Sequence, residues 1–376
     1  GTVADITITE NSIGALSQAL IRLYPTTIEE GSTVTVLNNN LTDKSKQFAT
    51  EGGGDVMALI GNGLITDTLY IDSVEDFAIA VANQEDGQNW FVESNSEPYA
   101  LSSAISVTKS ISIIGDGWSK PVLQFNQSAG IDINASIDSL ILDNITLRGI
   151  NEMGDEVMEH AYMGVGTYND SGNNGYNVGK FTVTDCVIEG FSYGVYFGAK
   201  TRQHNTLNVS MSDTVIQDNL IKGMYFETLS NSAFTNCQIL RNGADPEKVH
   251  DNFNTWLCGV DINLKYGTYE NIDFVDCMFE DNGAALGGAL LIKARDDGDY
   301  AKDPATLDGV TIDGCTFADS NNGNDIAFGE PDRNNSTPTN VTITNTTAHV
   351  TNNTAIEVAG IAAGESKDFV AEASGN

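Results

Sequence analysis

The sequence predicts an all-β chain coiled as a right-handed parallel β-helix, a solenoid with three strands per coil. Two observations carry that expectation, and an absence supports them. A short motif recurs as LDNITLRG from Leu142, VTDCVIEG from Val183, MSDTVIQD from Met211 and FTNCQILR from Phe234. It returns as FVDCMFED from Phe274, IDGCTFAD from Ile312 and TITNTTAH from Thr342. Glycine-led β runs follow most copies, and no long helical pattern separates the strands. Repeats spaced by roughly 20–45 residues mean stacked units, none able to bury its apolar face alone. A doubly wound α/β fold would need helices between the strands.

Residues 1–71 are read as a separate β-rich segment with a short helix. In IGALSQALIRL (13–23), Leu16, Ala19, Leu20 and Leu23 fall at helical spacing. TVTVLNNN follows from Thr33 and DVMALIGNGL from Asp55, whose LIGNG echoes a later IIGDG. The segment is either a partial β-helix start or assembly element, or two unrelated β stretches flanking a helix. Residues 72–376 are read as the main β-helix with a C-terminal strand segment. VEDFAIAVAN (74–83) places Val74, Phe77 and Val81 on one helical face. A helix there would cover the open end of the stack, where unpaired N–H and C=O groups are otherwise exposed. WFVES, a loop and KSISIIGDGW come next.

The motif copies align into columns. Ile145, Cys186, Thr214, Cys237, Cys277, Cys315 and Thr346 share one position. Two residues later stand Leu147, Ile188, Ile216, Ile239, Phe279, Phe317 and Ala348. A period of two puts both columns on one face of a strand, the buried one. The Asn or Asp before them (Asn144, Asp185, Asp213, Asn236, Asp276, Asn345) suits a bend, because such side chains bond nearby backbone. The second strand of each coil is read in GVYFG, GMYFE, GVDIN, GALLIKA and DIAFGE. The third is read in KFTVTD, TLNVSM, ENIDFV, DGVTID and TNVTIT.

The formal net charge is −34, from 52 acidic and 18 basic residues. That argues against nucleic acid or an anionic membrane as partner. No stretch is long enough to span a bilayer. The chain begins Gly1-Thr2, which reads as the trimmed form of a secreted protein, placed outside the cell or on its surface. Four of the five cysteines fall in one repeat column and read as small buried apolar residues. Asn-x-Ser/Thr sequons, among them Asn126, Asn208 and Asn340, arise readily in so Asn- and Thr-rich a chain.

With these motifs in view, residues from about 72 to 360 resemble the parallel β-helix repeat proteins of the pectate-lyase-like superfamily. That resemblance implies the fold and leaves the activity open. The superfamily holds polysaccharide lyases and hydrolases, epimerases, tailspikes, adhesins and structural surface proteins.

Three groups of residues are candidates for a site. Asp296, Asp297 and Asp299 form the densest run of carboxylates, either a calcium site or a solvated acidic turn. Tyr196, Tyr225 and Asp261 take outward positions on the second strands, where tyrosines either stack on sugar rings or pack a long loop. Lys200, Arg202, Lys265, Lys293 and Arg295 follow or end second strands, so stacking would align them as a basic strip. The strip either binds a uronate or sulfated sugar or pairs with Glu227, Asp261, Asp296 and Glu330. The four histidines share no motif with Ser, Cys or Asp. Two functions follow: a structural, adhesive or glycan-binding β-helix, self-assembling into an oligomer or fibre through its ends, or an enzyme on acidic polysaccharide. The enzyme would be a lyase with Lys265 and Arg295 as its basic pair, or a glycoside hydrolase. Calcium is the one cofactor suggested, and a polysaccharide or other surface component the expected partner.

Overall fold

In the computed structural model the described residues run from 68 to 370. Segments 117–118, 127–128, 151–161, 168–175, 199–206, 246, 248–256, 284–287, 321–323 and 331–337 are excepted, and before residue 68 only the backbone of short strands between 2 and 50 is described. The strands are mostly parallel and lie in two long sheets of 10 and 18 strands. Between the two ends of the stack each strand pairs with the one three places later, which builds three parallel ladders. One repeat shows the plan: Asn208–Ser212, Val215–Gln217 and Lys222–Phe226 pair in register with Ser232–Thr235, Gln238–Leu240 and Cys258–Leu264. This order is consistent with the coiling of a parallel β-helix. Among the described residues no helix is long and apolar enough to cross a membrane.

The motif sits at the corner between the first and second ladders. From Asn144 onward that corner is always two residues long. Its first residue is left-handed: Asn144, Asp185, Asp213, Asn236, Asp276 and Asn345 have φ between 50° and 54°, and Gly314 has φ 65°. Asn and Asp tolerate this region because their short polar side chains bond locally. The second corner residue is the Ile145–Thr346 column, and all seven members are buried. The column two residues on is in register from Leu147 through Ile188, Ile216, Ile239 and Phe279 to Phe317.

A buried asparagine ladder explains the glycines that lead the third-ladder strands. Asn219 Nδ2 donates to Asn242 Oδ1 at 2.9 Å, and Asn242 Nδ2 to Asn282 Oδ1 at 3.1 Å. Asn282 Nδ2 ends the run on the Ile239 carbonyl. A Cβ at Gly223 would lie 2.6 Å from the Gly259 oxygen and 2.9 Å from Asn242 Cγ, and one at Gly259 would meet Ala289 and Asn282 likewise. Close backbone approach, more than turn geometry, requires glycine there.

All five cysteines are free thiols and buried. Burial pushes the Cys186 thiol up to about 12 and the Cys258 thiol up to about 11. Thiolate is the reactive form. Because burial keeps the reagent from all five, the native chain is expected to react slowly with a thiol-specific disulfide reagent, and all five thiols to titrate on unfolding. Rapid reaction of one native thiol would contradict the packing.

The stack is closed differently at its two ends. The helix Val74–Ala82 carries a full capping box between Ser73 and Asp76 and packs on the strands Thr68–Ile71, Tyr99–Leu101 and Ile105–Val107. Phe77 and Ala80 are its buried apolar residues and Val81 packs partly buried against the core, whereas Val74 is 38% exposed and Ile79 takes part instead, so the apolar face is shifted from the one the spacing predicts. The stretch expected to be a loop after WFVES contains Tyr99–Leu101 and Ile105–Val107. Strands of three residues are too short to show a period of two. At the far end Ser366–Val370 runs antiparallel along Thr347–Asn352 and covers the edge. His349 fastens this strap: Nδ1 lies 2.9 Å from Asp368 Oδ1 and Nε2 lies 2.8 Å from Ser366 Oγ. The chain of contacts has the order of a hydrolytic triad, but Asp368 is 87% exposed. An orienting carboxylate in such a triad is buried, so the contact is a surface fastener.

In the N-terminal region four strand pairs are parallel and join Thr2–Val3 to Thr27–Ile28, Ile6–Thr9 to Val34–Leu37, Ser12–Ile13 to Asn40–Leu41 and Ile21–Leu23 to Phe48–Thr50. The two ends of the helix expected over 13–23 are thus strand, because pairing outweighs local spacing there. Its middle, 14–20, and the DVMALIGNGL segment lie outside the described residues.

Candidate functional site

The third ladder differs from the others. Tyr193–Phe197, Lys222–Phe226, Cys258–Leu264 and Gly288–Ala294 are buried at every position. A first-ladder strand such as Asn208–Ser212 alternates between buried and less buried residues. The connections that vary in length also meet the third ladder. They include 150–162 and 241–257 before its strands and 198–207, 295–305 and 329–338 after them. Variable loops on a rigid scaffold are where function is carried. The outer face of this ladder is therefore the candidate site.

On its inner side Val195, Phe197, Met224, Phe226, Val260 and Ile262 join the main core. Its outer side begins with an aromatic cluster of Tyr193, Tyr196 and Tyr225 with Met163, Ile221 and Leu257. The Tyr196 and Tyr225 rings stack at 5.0 Å and 25°. They are only 7% and 8% exposed, so they present no open face to a sugar.

Further along the same face the outward residues become charged. Lys222 pairs with Asp261. Lys293 lies 3.4 Å from the other Asp261 oxygen and pairs with Glu330. Lys265 pairs with Glu227, and Arg295 grips Asp297 through Nε and Nη2, the latter at 2.8 Å. Neutral groups link the pairs: the Tyr225 hydroxyl donates to Glu227 at 2.7 Å, Asn263 Nδ2 donates to that hydroxyl at 2.7 Å, and Arg295 Nη1 donates to Asn263 Oδ1 at 3.3 Å. Four cations thus meet four carboxylates, and most of the eight are buried.

Burial pushes the Asp261 carboxyl up, but Lys222 and Lys293 outweigh it and hold the group below the usual carboxylate range. Desolvation works against charge on Lys222 and Lys265 too, and the carboxylates of Asp261 and Glu227 override it, so both amines are raised. Burial drives the Tyr225 hydroxyl well up and that of Tyr193 up to about 12. A general base at neutral pH needs the opposite shift in a Lys or Tyr.

Of the basic strip, Lys265, Lys293 and Arg295 come together on this face as the repeat alignment implies; Lys200 and Arg202 lie outside the described residues. Glu227, Asp261 and Glu330 pair with the strip as read from sequence, while Arg295 takes Asp297 in place of Asp296. Lys222, which shares Asp261 with Lys293, is missing from the sequence reading. It is two residues before Met224, whose side chain joins the main core, so alternation pointed inward and gave no signal for it. Among the described residues, which include Asp296, Asp297 and Asp299, no three His, Cys, Asp or Glu side chains are grouped to hold a metal ion.

No family model matches the chain, and no curated protein is significantly similar to it.

Proposed function

We propose that this chain is a secreted or cell-surface β-helix of the pectate-lyase-like kind, coiled right-handed, that serves as an adhesive scaffold and binds glycan on the outer face of its third ladder. The handedness follows the strong preference of parallel crossover connections. The observation that carries the functional reading is the compensated charge network. Its lysines are committed to buried carboxylates, and Lys222 and Lys265 are held protonated, which suits a rigid binding wall and disfavours proton abstraction. The net charge of −34 keeps such a protein soluble and dispersed outside the cell.

The test is a glycan array with the full chain, run beside a turnover assay on uronate polymers. Binding without new chain ends is expected. Release of unsaturated oligosaccharides, lost in Lys265→Ala, would replace the scaffold reading with the lyase.

A further inference from the structure

At the far end of the stack the strap Ser366–Val370 pairs with the 18-stranded sheet alone. The 10-stranded sheet ends on Thr339–Thr344, which pairs with Thr306–Asp313 on one side and with no described strand on the other. The Thr344 carbonyl accepts from the Gly314 N–H at 3.1 Å and so faces back into the stack. Backbone groups alternate along a strand, so those of Val341 and Ile343 face off the end. The side chains do not turn to cover them: Thr339 and Asn340 bond Asp308, and Thr344 bonds Asp313, all in the preceding coil. Thr339, Asn340, Thr342 and Thr344 are exposed. The strand carries no charge, no proline and no bulge, the usual guards of an open edge.

Residues 2–50 supply strands of the same kind. Ile6–Thr9 reads Ile-Thr-Ile-Thr and Val34–Leu37 reads Val-Thr-Val-Leu, against Val-Thr-Ile-Thr at the end of the open strand. Two residues separate Ile6–Thr9 from Ser12–Ile13, and two separate Val34–Leu37 from Asn40–Leu41. That is the corner spacing of the main stack, where two residues separate Thr339–Thr344 from Thr347–Asn352. Ile6 pairs with Val34 and Ser12 with Asn40 at one constant offset, as successive coils do. Two coils share only one buried interface, and such repeats need further neighbours to be stable. Among the described strands Ile6–Thr9 pairs with Val34–Leu37 alone, which leaves it one edge without a strand.

We propose that Thr339–Thr344 of one copy and Ile6–Thr9 of a second copy pair in parallel, so that the first ladder runs on from copy to copy. A strand added to an open edge gains main-chain hydrogen bonds, and the matching alternation sets its register. The contact joins two different surfaces, so it propagates head to tail. It goes beyond the glycan-binding reading and does not depend on it.

The experiment is sedimentation velocity of the full chain across protein and salt concentration. The parent should form species that grow past the dimer as concentration rises. Added salt should favour them, because it screens the repulsion between copies of charge −34. Thr342→Lys puts a charge on the exposed edge strand and should abolish association. Thr182→Lys makes the same charge change in the middle of the same sheet and should associate like the parent. Thr7→Lys, on the incoming strand, should also be monomeric. Thr342→Lys and Thr7→Lys each keep one competent end, so an equal mixture should form heterodimers and stop there. Circular dichroism checks that every variant is folded. A parent that stays monomeric under all conditions, or a Thr342→Lys variant that assembles like the parent, would overturn the contact. Loss of association in Thr182→Lys as well would trace the effect to charge and overturn the edge. A mixture without heterodimers would overturn the role of Ile6–Thr9, and a parent that stops at the dimer would overturn the head-to-tail geometry.

Discussion

Asp261→Ala is expected to destabilise the fold by about 3–5 kcal/mol, because it leaves two buried lysines without their shared partner. Asp261 is fully buried, and Lys222 and Lys293 are 6% and 2% exposed. Breaking such a group from one side strands charge in a place that water cannot reach. Replacing Lys222, Asp261, Lys293 and Glu330 together by Met, Leu, Met and Met should recover most of the loss, since a well-packed apolar substitute often matches a buried ion pair and no charge of the group is left behind. Urea unfolding of the full chain, followed by circular dichroism, measures both variants. Solenoids can unfold in segments, so hydrogen exchange across Lys222–Phe226 and Gly288–Ala294 should accompany it. A loss below about 1 kcal/mol would mean that the network is hydrated and ordinary.

The pH dependence has a definite sign. The folded Asp261 carboxyl lies below its unfolded value of about 3.9. Its contribution is present above that value and is lost as pH falls through the folded one. Lys222 is the mirror case: its raised amine contributes fully below about pH 10.4, and that contribution disappears as pH rises through the folded value. The network therefore strengthens the fold through the neutral range and weakens it at both extremes.

How far the sequence reached follows from the length of each signal. The corner motif was legible because one residue type answers each demand: left-handed backbone at Asp213, a small buried group at Cys237, a branched or aromatic side chain at Ile239. Those demands recur in every coil and add up. The asparagine ladder recurs too, five positions after the Cys or Thr of its motif copy at Asn219, Asn242 and Asn282. It spans too few coils to separate from ordinary loop asparagine without the structure. The charged face was half legible. Lys265, Lys293 and Arg295 stood out as scarce cations, but Lys222 precedes a glycine-led apolar run and looked like a strand boundary. The left-handed backbone of Tyr266, with φ 53°, had no sequence signal, since nothing local to Lys265-Tyr266-Gly267 marks which residue turns left-handed.

Phe274→Ala is the second change with a large expected effect, about 3–5 kcal/mol. Phe274 is fully buried and stacks on Phe234 at 4.7 Å and 8°. Phe279 meets it at 6.1 Å and stacks in turn on Phe317 at 4.7 Å. These rings fill the interior of successive coils, and the backbone around them is fixed by parallel pairing on both sides. A solenoid interior cannot collapse around a hole without breaking those ladders, so the cavity term should be near its upper range. Phe274→Leu, which removes less volume, should cost clearly less. Equilibrium unfolding of the two variants gives the comparison. Equal losses would mean that ring stacking, rather than filled volume, is what the core requires at this position.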